Sequence, residues 1–206
     1  MITSNTQATE TSTQLHAAAA RDDAATVVNL LDRGVDIDKR DARGRTALLV
    51  ATHHNAIETA SVLIEAGADV NAMDDISDSP YLYAGAEGHI EILRLTLANG
   101  ADLGSVNRYG GTALIPAAHH GHVETVRLLL ATATDIDHVN NLGWTALLEA
   151  IILGDGSQTY TDIVHLLIAA GADVNLADAE NVSPLAHALS RKQTEIANLL
   201  QRAGAR

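Results

Sequence analysis

The chain repeats itself every 33 residues. Five short segments share one pattern: Gly34-Val35-Asp36-Ile37-Asp38, Gly67-Ala68-Asp69-Val70-Asn71, Gly100-Ala101-Asp102-Leu103, Ala133-Thr134-Asp135-Ile136-Asp137 and Gly171-Ala172-Asp173-Val174-Asn175. The first four start 33 residues apart, and the last step is 38, so one repeat carries five extra residues. Self-similarity at such a period marks an architecture of stacked units, each burying its apolar face against its neighbours. The period fixes the architecture and argues against an enzyme.

One repeat can be read physically. Asp41-Ala42-Arg43-Gly44-Arg45 has the composition of a turn. Thr46 stands where a helix N-cap belongs. A short helix follows over residues 47–54, with Leu48 and Ala51 on one face. A second helix starts near Ala56 and places Ile57, Ala60, Leu63 and Ile64 at helical spacing. Gly67 then ends it. The capping hydroxyl recurs as Thr13, Thr46, Ser79, Thr112, Thr145 and Ser183, with Pro80 and Pro184 at the first helical position. The core position two residues later is Leu15, Leu48, Tyr81, Leu114, Leu147 and Leu185.

The pattern Asp-x-x-Gly-x-Thr-Pro-Leu-His-x-Ala, then Gly-His, Leu-Leu and Gly-Ala-Asp-Val-Asn, resembles the ankyrin repeat. Thr13-Gln14-Leu15-His16-Ala17-Ala18, Gly88-His89 and Gly121-His122 carry the likeness most closely. It covers residues 8–206, and the stretch 140–156 is similar to the matching part of a small stand-alone bacterial ankyrin protein. The resemblance implies an all-α solenoid of six helix-turn-helix repeats with short β-like hairpin turns. The boundaries fall near 8–40, 41–73, 74–106, 107–139, 140–177 and 178–206, the last being a polar C-terminal cap. Residues 1–12, rich in Thr, Ser, Gln and Asn, read as a disordered polar tail before one domain over 13–206.

Composition narrows the function. No apolar run is long enough to cross a membrane. The polar start lacks the features of a secretory signal, so a cytoplasmic location is expected. Without cysteine there are no disulfides, thiolate metal sites or cysteine nucleophiles. The formal net charge is −13, and the 13 Lys and Arg are scattered, which opposes direct contact with nucleic acid. The same charge favours a soluble monomer.

Three departures from the pattern stand out. The extra residues lie between Gly154 and Tyr160, where Thr159 and Asp162 suggest a capping box that starts the second helix late. Pro116 falls at the fourth helical position if Thr112 is the cap. Ala133 replaces the helix-ending glycine, so either its backbone is strained or the helix ends differently.

No catalytic, cofactor or metal site is expected. By the resemblance, His16, His89 and His122 bond loop backbone. His119, His120 and His122 form the one local histidine cluster, with no carboxylate at a supporting spacing. Asp74, Asp75 and Asp78 make an acidic tip without the ligand grading of a calcium loop. No phosphate-binding loop or nucleophile elbow is present.

A partner-binding surface is expected instead. In ankyrin stacks the turn tips and first-helix ends line a concave face. The tips contribute Arg43 and Arg45; Asp75, Ile76 and Asp78; Arg108 and Tyr109; and Asn141, Leu142 and Trp144. The helix ends contribute His53, His54, Glu87, His119, His120, Ile152 and Leu153. A patch centred on Trp144 with Tyr109, Leu142, Ile152 and Leu153 is apolar, with Arg108 and His120 at its rim. The expected function is a non-catalytic scaffold or adaptor that binds a partner protein. The alternatives are an inhibitor or regulator of one enzyme, and a transcriptional regulator acting through a protein partner.

Overall fold

A computed structural model describes residues 2–206, with side chains from Thr11 onward. It is all-helical: among the described residues twelve helices follow one another in pairs, with no strand. The chain groups into two compact units, where the sequence suggests one domain over 13–206. The first holds Met1–Ala84 with His89–Asp102, and the second holds Gly85–Gly88 with Leu103–Arg206.

The first unit contains α1 (Ile2–Ala19), α2 (Ala24–Asp32), α3 (Ala47–His53), α4 (Ile57–Glu65), the start of α5 (Pro80–Glu87) and α6 (Ile90–Ala98). Its core is Leu15, Val27, Leu48, Leu49, Leu63, Tyr81, Ile92 and Leu93, all fully or almost fully buried. α1 is helical through residues 2–12, where composition suggests a disordered tail, and Met1 lies outside the described residues. No Gly or Pro interrupts this stretch, so nothing stops the helix of the first repeat from extending backwards. Thr13 is therefore inside a helix and not a cap.

The second unit contains the end of α5, then α7 (Leu114–His119), α8 (Val123–Leu130), α9 (Ala146–Ile152), α10 (Gln158–Ala169), α11 (Pro184–Ser190) and α12 (Thr194–Arg202). Leu114, Val126, Leu129, Leu147, Leu148, Ile151, Ile163 and Leu167 form its core.

A finger precedes each first helix from the second repeat on. Its first residue, Asp41, Asp74, Asn107, Asn140 or Asp178, accepts with one side-chain oxygen the N–H groups two and four residues ahead. A backbone bond closes the loop, as from Asn140 N–H to Trp144 O at 3.0 Å. The β-like element expected from the sequence is thus a closed turn held by an Asx side chain. The fourth finger residue has positive φ each time, supplied by Gly44, Ser77, Gly110, Gly143 and Asn181. Of the two finger glycines in the second unit, Gly143 has backbone against it: a Cβ there would lie 3.0 Å from the Ala179 backbone nitrogen.

Four first helices are capped as the sequence implies: Thr46, Ser79, Thr145 and Ser183 accept from the N–H three residues on. Repeat four breaks the rule. In the others the cap carbonyl receives the N–H four residues ahead, as Val50 to Thr46 and Glu149 to Thr145. Pro116 occupies that position in repeat four and has no N–H. Ile115 N–H bonds Thr112 O instead, the helix cap moves to Ala113, and Pro116 becomes the third helical residue. The Thr112 hydroxyl is left buried without a hydrogen bond among the described residues. Pro116→Ala should restore the regular start and raise stability by about 1 kcal/mol, read from thermal melting. An unchanged or lower melting temperature would contradict this account.

Ala133 does not adopt positive φ, so the second of the two expected outcomes holds. The Thr132 hydroxyl donates to Leu129 O at 2.6 Å and accepts from Thr134 N–H, ending the helix without a left-handed residue. The insertion also differs from expectation. Ser157, not Thr159, stands at the N-cap position of α10, without a side-chain capping bond, and the helix runs 12 residues against 8 for α8. The second helix of repeat five starts early, so the added residues lengthen it as well as the turn. Tyr160 packs against Gly154 and donates its hydroxyl to His119 O at 2.7 Å, tying the insertion to the end of α7.

Candidate functional site

The expected site residues divide between the two units. On the first, Arg43, His54, Asp75 and Ile76 are exposed. Arg45 is not available in the same way: its guanidinium donates twice to Asp41 Oδ2, at 2.9 and 2.7 Å. Burial alone would raise the Asp41 pKa, but these bonds and the finger N–H groups outweigh it and hold the carboxyl at about 2. Asp78 is half-buried, and the His53 ring stacks on Tyr83 with centroids 3.9 Å apart.

On the second unit the expected patch is largely brought together. Asn141 N–H donates to Tyr109 O at 2.9 Å, so the fingers of repeats four and five lie side by side. Tyr109 is 54% exposed and Leu142 53%. Trp144 is half-buried, at the base of its finger. Arg108 is exposed and lies over the Tyr109 ring, 4.8 Å from its centroid. Leu153, at the end of α9, is 42% exposed. Ile152 corrects the expectation: it is 7% exposed and belongs to the core, because α9 turns it inward. Glu87 is exposed at the end of α5.

The histidines mostly serve the backbone. His16 reaches Ser12 O and Arg45 O, and His89 reaches Thr52 O. His120 reaches Ala86 O at 2.7 Å while remaining exposed. His119, His120 and His122 stand together, with centroids 4.7 and 5.9 Å apart along the series. Among the described residues no group of three His, Cys, Asp or Glu side chains is placed to hold a metal.

Two residues that the spacing did not single out define the middle of this surface. Glu149, on α9, is 6% exposed. Its Oε1 accepts from Asn140 Nδ2 at 2.8 Å, and its Oε2 lies 3.5 Å from His119 Nδ1. The histidine cluster therefore does have a carboxylate beside it, supplied by the next repeat and not by its own neighbours in sequence. Burial pushes the Glu149 carboxyl up to about 7, against the pull of the Asn140 bond and the His120 charge. Burial, with His120 beside it, pushes His119 below its ordinary value. The second residue is Asn140 itself. Its Oδ1 holds the N–H groups of Leu142 and Trp144, and its Nδ2 holds Glu149, so it links the finger to the helix. One sequence signal existed: Glu149 is the only charged residue within Ala146–Ile152.

The chain belongs to the ankyrin-repeat family, described as ankyrin repeats (3 copies), which matches residues 2–74 and 81–178. Its repeats are generally protein–protein interaction modules and typically non-catalytic. The chain is 61% identical to an ankyrin repeat domain from Acinetobacter baumannii AYE, with a TM-score of 0.92 over 94% of this chain and 98% of that one. It is 46% identical to the ankyrin repeat protein EF0377, with a TM-score of 0.88 over 91% of this chain and 96% of that one. It is 30% identical to the ankyrin repeat domain of Bcl-3, a member of the IkappaB family, with a TM-score of 0.83 over 93% and 86%. No curated protein matches the chain. No helix among the described residues is long and apolar enough to cross a membrane.

Proposed function

We propose that the protein is a non-catalytic scaffold that holds a partner protein on the fingers and first-helix ends of its second unit. One observation carries this reading: Tyr109 and Leu142 are more than half exposed on adjoining fingers, with Trp144 at their base. A solvated turn gains nothing from such side chains, whereas Trp, Tyr and Arg dominate interface energies. The fingers are already locked by Asn107 and Asn140, so little ordering cost falls on binding. Arg108, His119, His120, Asn141 and Leu153 surround the apolar centre. On the first unit the exposed Arg43, His54 and Asp75 offer polar contacts and Ile76 an apolar one, and on the second Glu87 offers a polar one. The scaffold works as a cytoplasmic monomer and, at a net charge of −13, without direct contact to nucleic acid.

The test compares the wild-type chain with Tyr109→Ala/Trp144→Ala in quantitative affinity capture. A partner bound through these rings should lose at least about thirtyfold in affinity, equal to about 2 kcal/mol. A partner retained equally by both chains would remove the site from the second unit.

A further inference from the structure

We infer that the site in the second unit is built to receive a cationic side chain, Lys or Arg, of the partner, docking against Glu149 beside His119, where Asn140 ties the Trp144 finger to α9. The inference rests on the proposed binding surface and names the chemistry that surface selects.

Glu149 is a buried acid without a full set of partners among the described residues. A buried carboxylate is normally paired with a cation or given several hydrogen bonds. Among the described residues Glu149 has one good bond, from Asn140 to Oε1. Its other oxygen faces His119 Nδ1 at 3.5 Å, beyond the length of a good N–H···O bond. Among the described residues no element packed against α9 supplies a permanent cation to it. The end of α7 presents His119, with His120 after it, and burial holds His119 below its ordinary value, which disfavours its charged form. His120 is turned to Ala86 O. α11 presents His187, which is bound to Asp178 Oδ2 at 2.7 Å. α10 presents Tyr160, which is bound to His119 O. Arg108 sits over the Tyr109 ring.

Glu149 and Asn140 occupy the same places in repeat five that His187 and Asp178 occupy in repeat six. In repeat six the pair is acid with imidazole, and each partner satisfies the other. In repeat five the finger residue is neutral, so the acid remains without its counter-charge.

The surroundings suit a long cationic side chain. The half-buried Trp144 and exposed Leu142 on the finger that Asn140 ties to Glu149 offer apolar surface for its stem, and the His119 beside Oε2 is part-exposed. A guanidinium also stacks on indole. The net charge of −13 draws cationic segments towards the chain.

Docking a cation must lower the affinity of Glu149 for its proton, so binding releases a proton and strengthens as pH rises. The unbound carboxyl titrates at about 7, which places the effect in an accessible window.

The test uses short random peptides displayed on phage and panned against the full-length chain at about pH 8. Binders are sorted by their dependence on Tyr109→Ala/Trp144→Ala. Expected are binders sharing one Lys or Arg flanked by apolar residues, whose affinity falls about tenfold from about pH 8 to about pH 6. Glu149→Gln keeps an oxygen for the Asn140 bond and should weaken them at least about tenfold at about pH 8 while flattening the pH profile. Trp144-dependent binders without a shared cation, or indifferent to Glu149→Gln, overturn the inference and leave the binding surface standing. Panning that yields no Trp144-dependent binder overturns both.

Discussion

Replacing Glu149 by Gln is expected to stabilise the free protein at about pH 8 by on the order of 3 kcal/mol, and not at all near about pH 4. The folded carboxyl titrates at about 7, against 4.5 for the same group in the open chain, because burial disfavours its charged form. The folded state therefore holds the proton more tightly than the unfolded state. The resulting stability is complete below pH 4.5 and is lost as pH rises through about 7. The glutamine amide has no such proton to lose, so the variant keeps its stability where the wild type declines. The difference between the two should grow from about pH 4.5 to about pH 7 and then level off. Urea denaturation of both chains across this range provides the measurement. A constant difference at all pH values would show that Glu149 is not desolvated as described. Combined with the peptide selection, the outcome would be a stability gain accompanied by a binding loss, the usual mark of a group kept for function.

Asn140→Ala is expected to cost about 3 kcal/mol or more. It removes the acceptor for two finger N–H groups and the one good donor to Glu149 among the described residues, leaving a buried acid unbonded. Asn107 makes the same two finger bonds in repeat four without a carboxyl behind it. Asn107→Ala should therefore cost less, about 1–2 kcal/mol. The difference isolates the share of Glu149. Trp144 is the sole tryptophan, so its fluorescence reports this finger directly. Local loosening should appear as lost amide protection at Leu142 and Trp144 before global unfolding. Equal costs for the two variants would show that the link between finger and helix contributes nothing.

The period of 33 residues made the helical pairing and most of the core legible. Leu48, Tyr81, Leu114 and Leu147 are at most 1% exposed, because repeat position alone fixes which face of the helix is buried. The same reasoning misplaced Ile152. It treated the end of α9 as surface by analogy with the histidines of repeats two and four, whereas an apolar residue at that point packs inward. Thr112 shows a subtler limit. Its type suits an N-cap, but the missing N–H of Pro116 four residues on decides which bond the cap carbonyl receives. The extended start of α1 shows the same limit from another side, since a polar composition does not by itself stop a helix.

The sequence by itself determined the repeat, its helices, its finger turns and the identity of the residues at the tips. These follow from local spacing, where each residue's neighbours are set by the period. Only the tertiary structure decided that Asn140 ties its finger to Glu149, that His119 from the preceding repeat faces the same carboxyl, and that Tyr160 closes onto α7. The first of these contacts joins residues 9 positions apart and the last joins residues 41 apart. The places of Asn140 and Glu149 recur as Asp178 and His187 in repeat six, but the period does not say which side chains stand there, and His119 and Tyr160 join across repeats. Whether an acid among apolar neighbours finds a counter-charge depends on which side chains the adjacent repeat brings within reach.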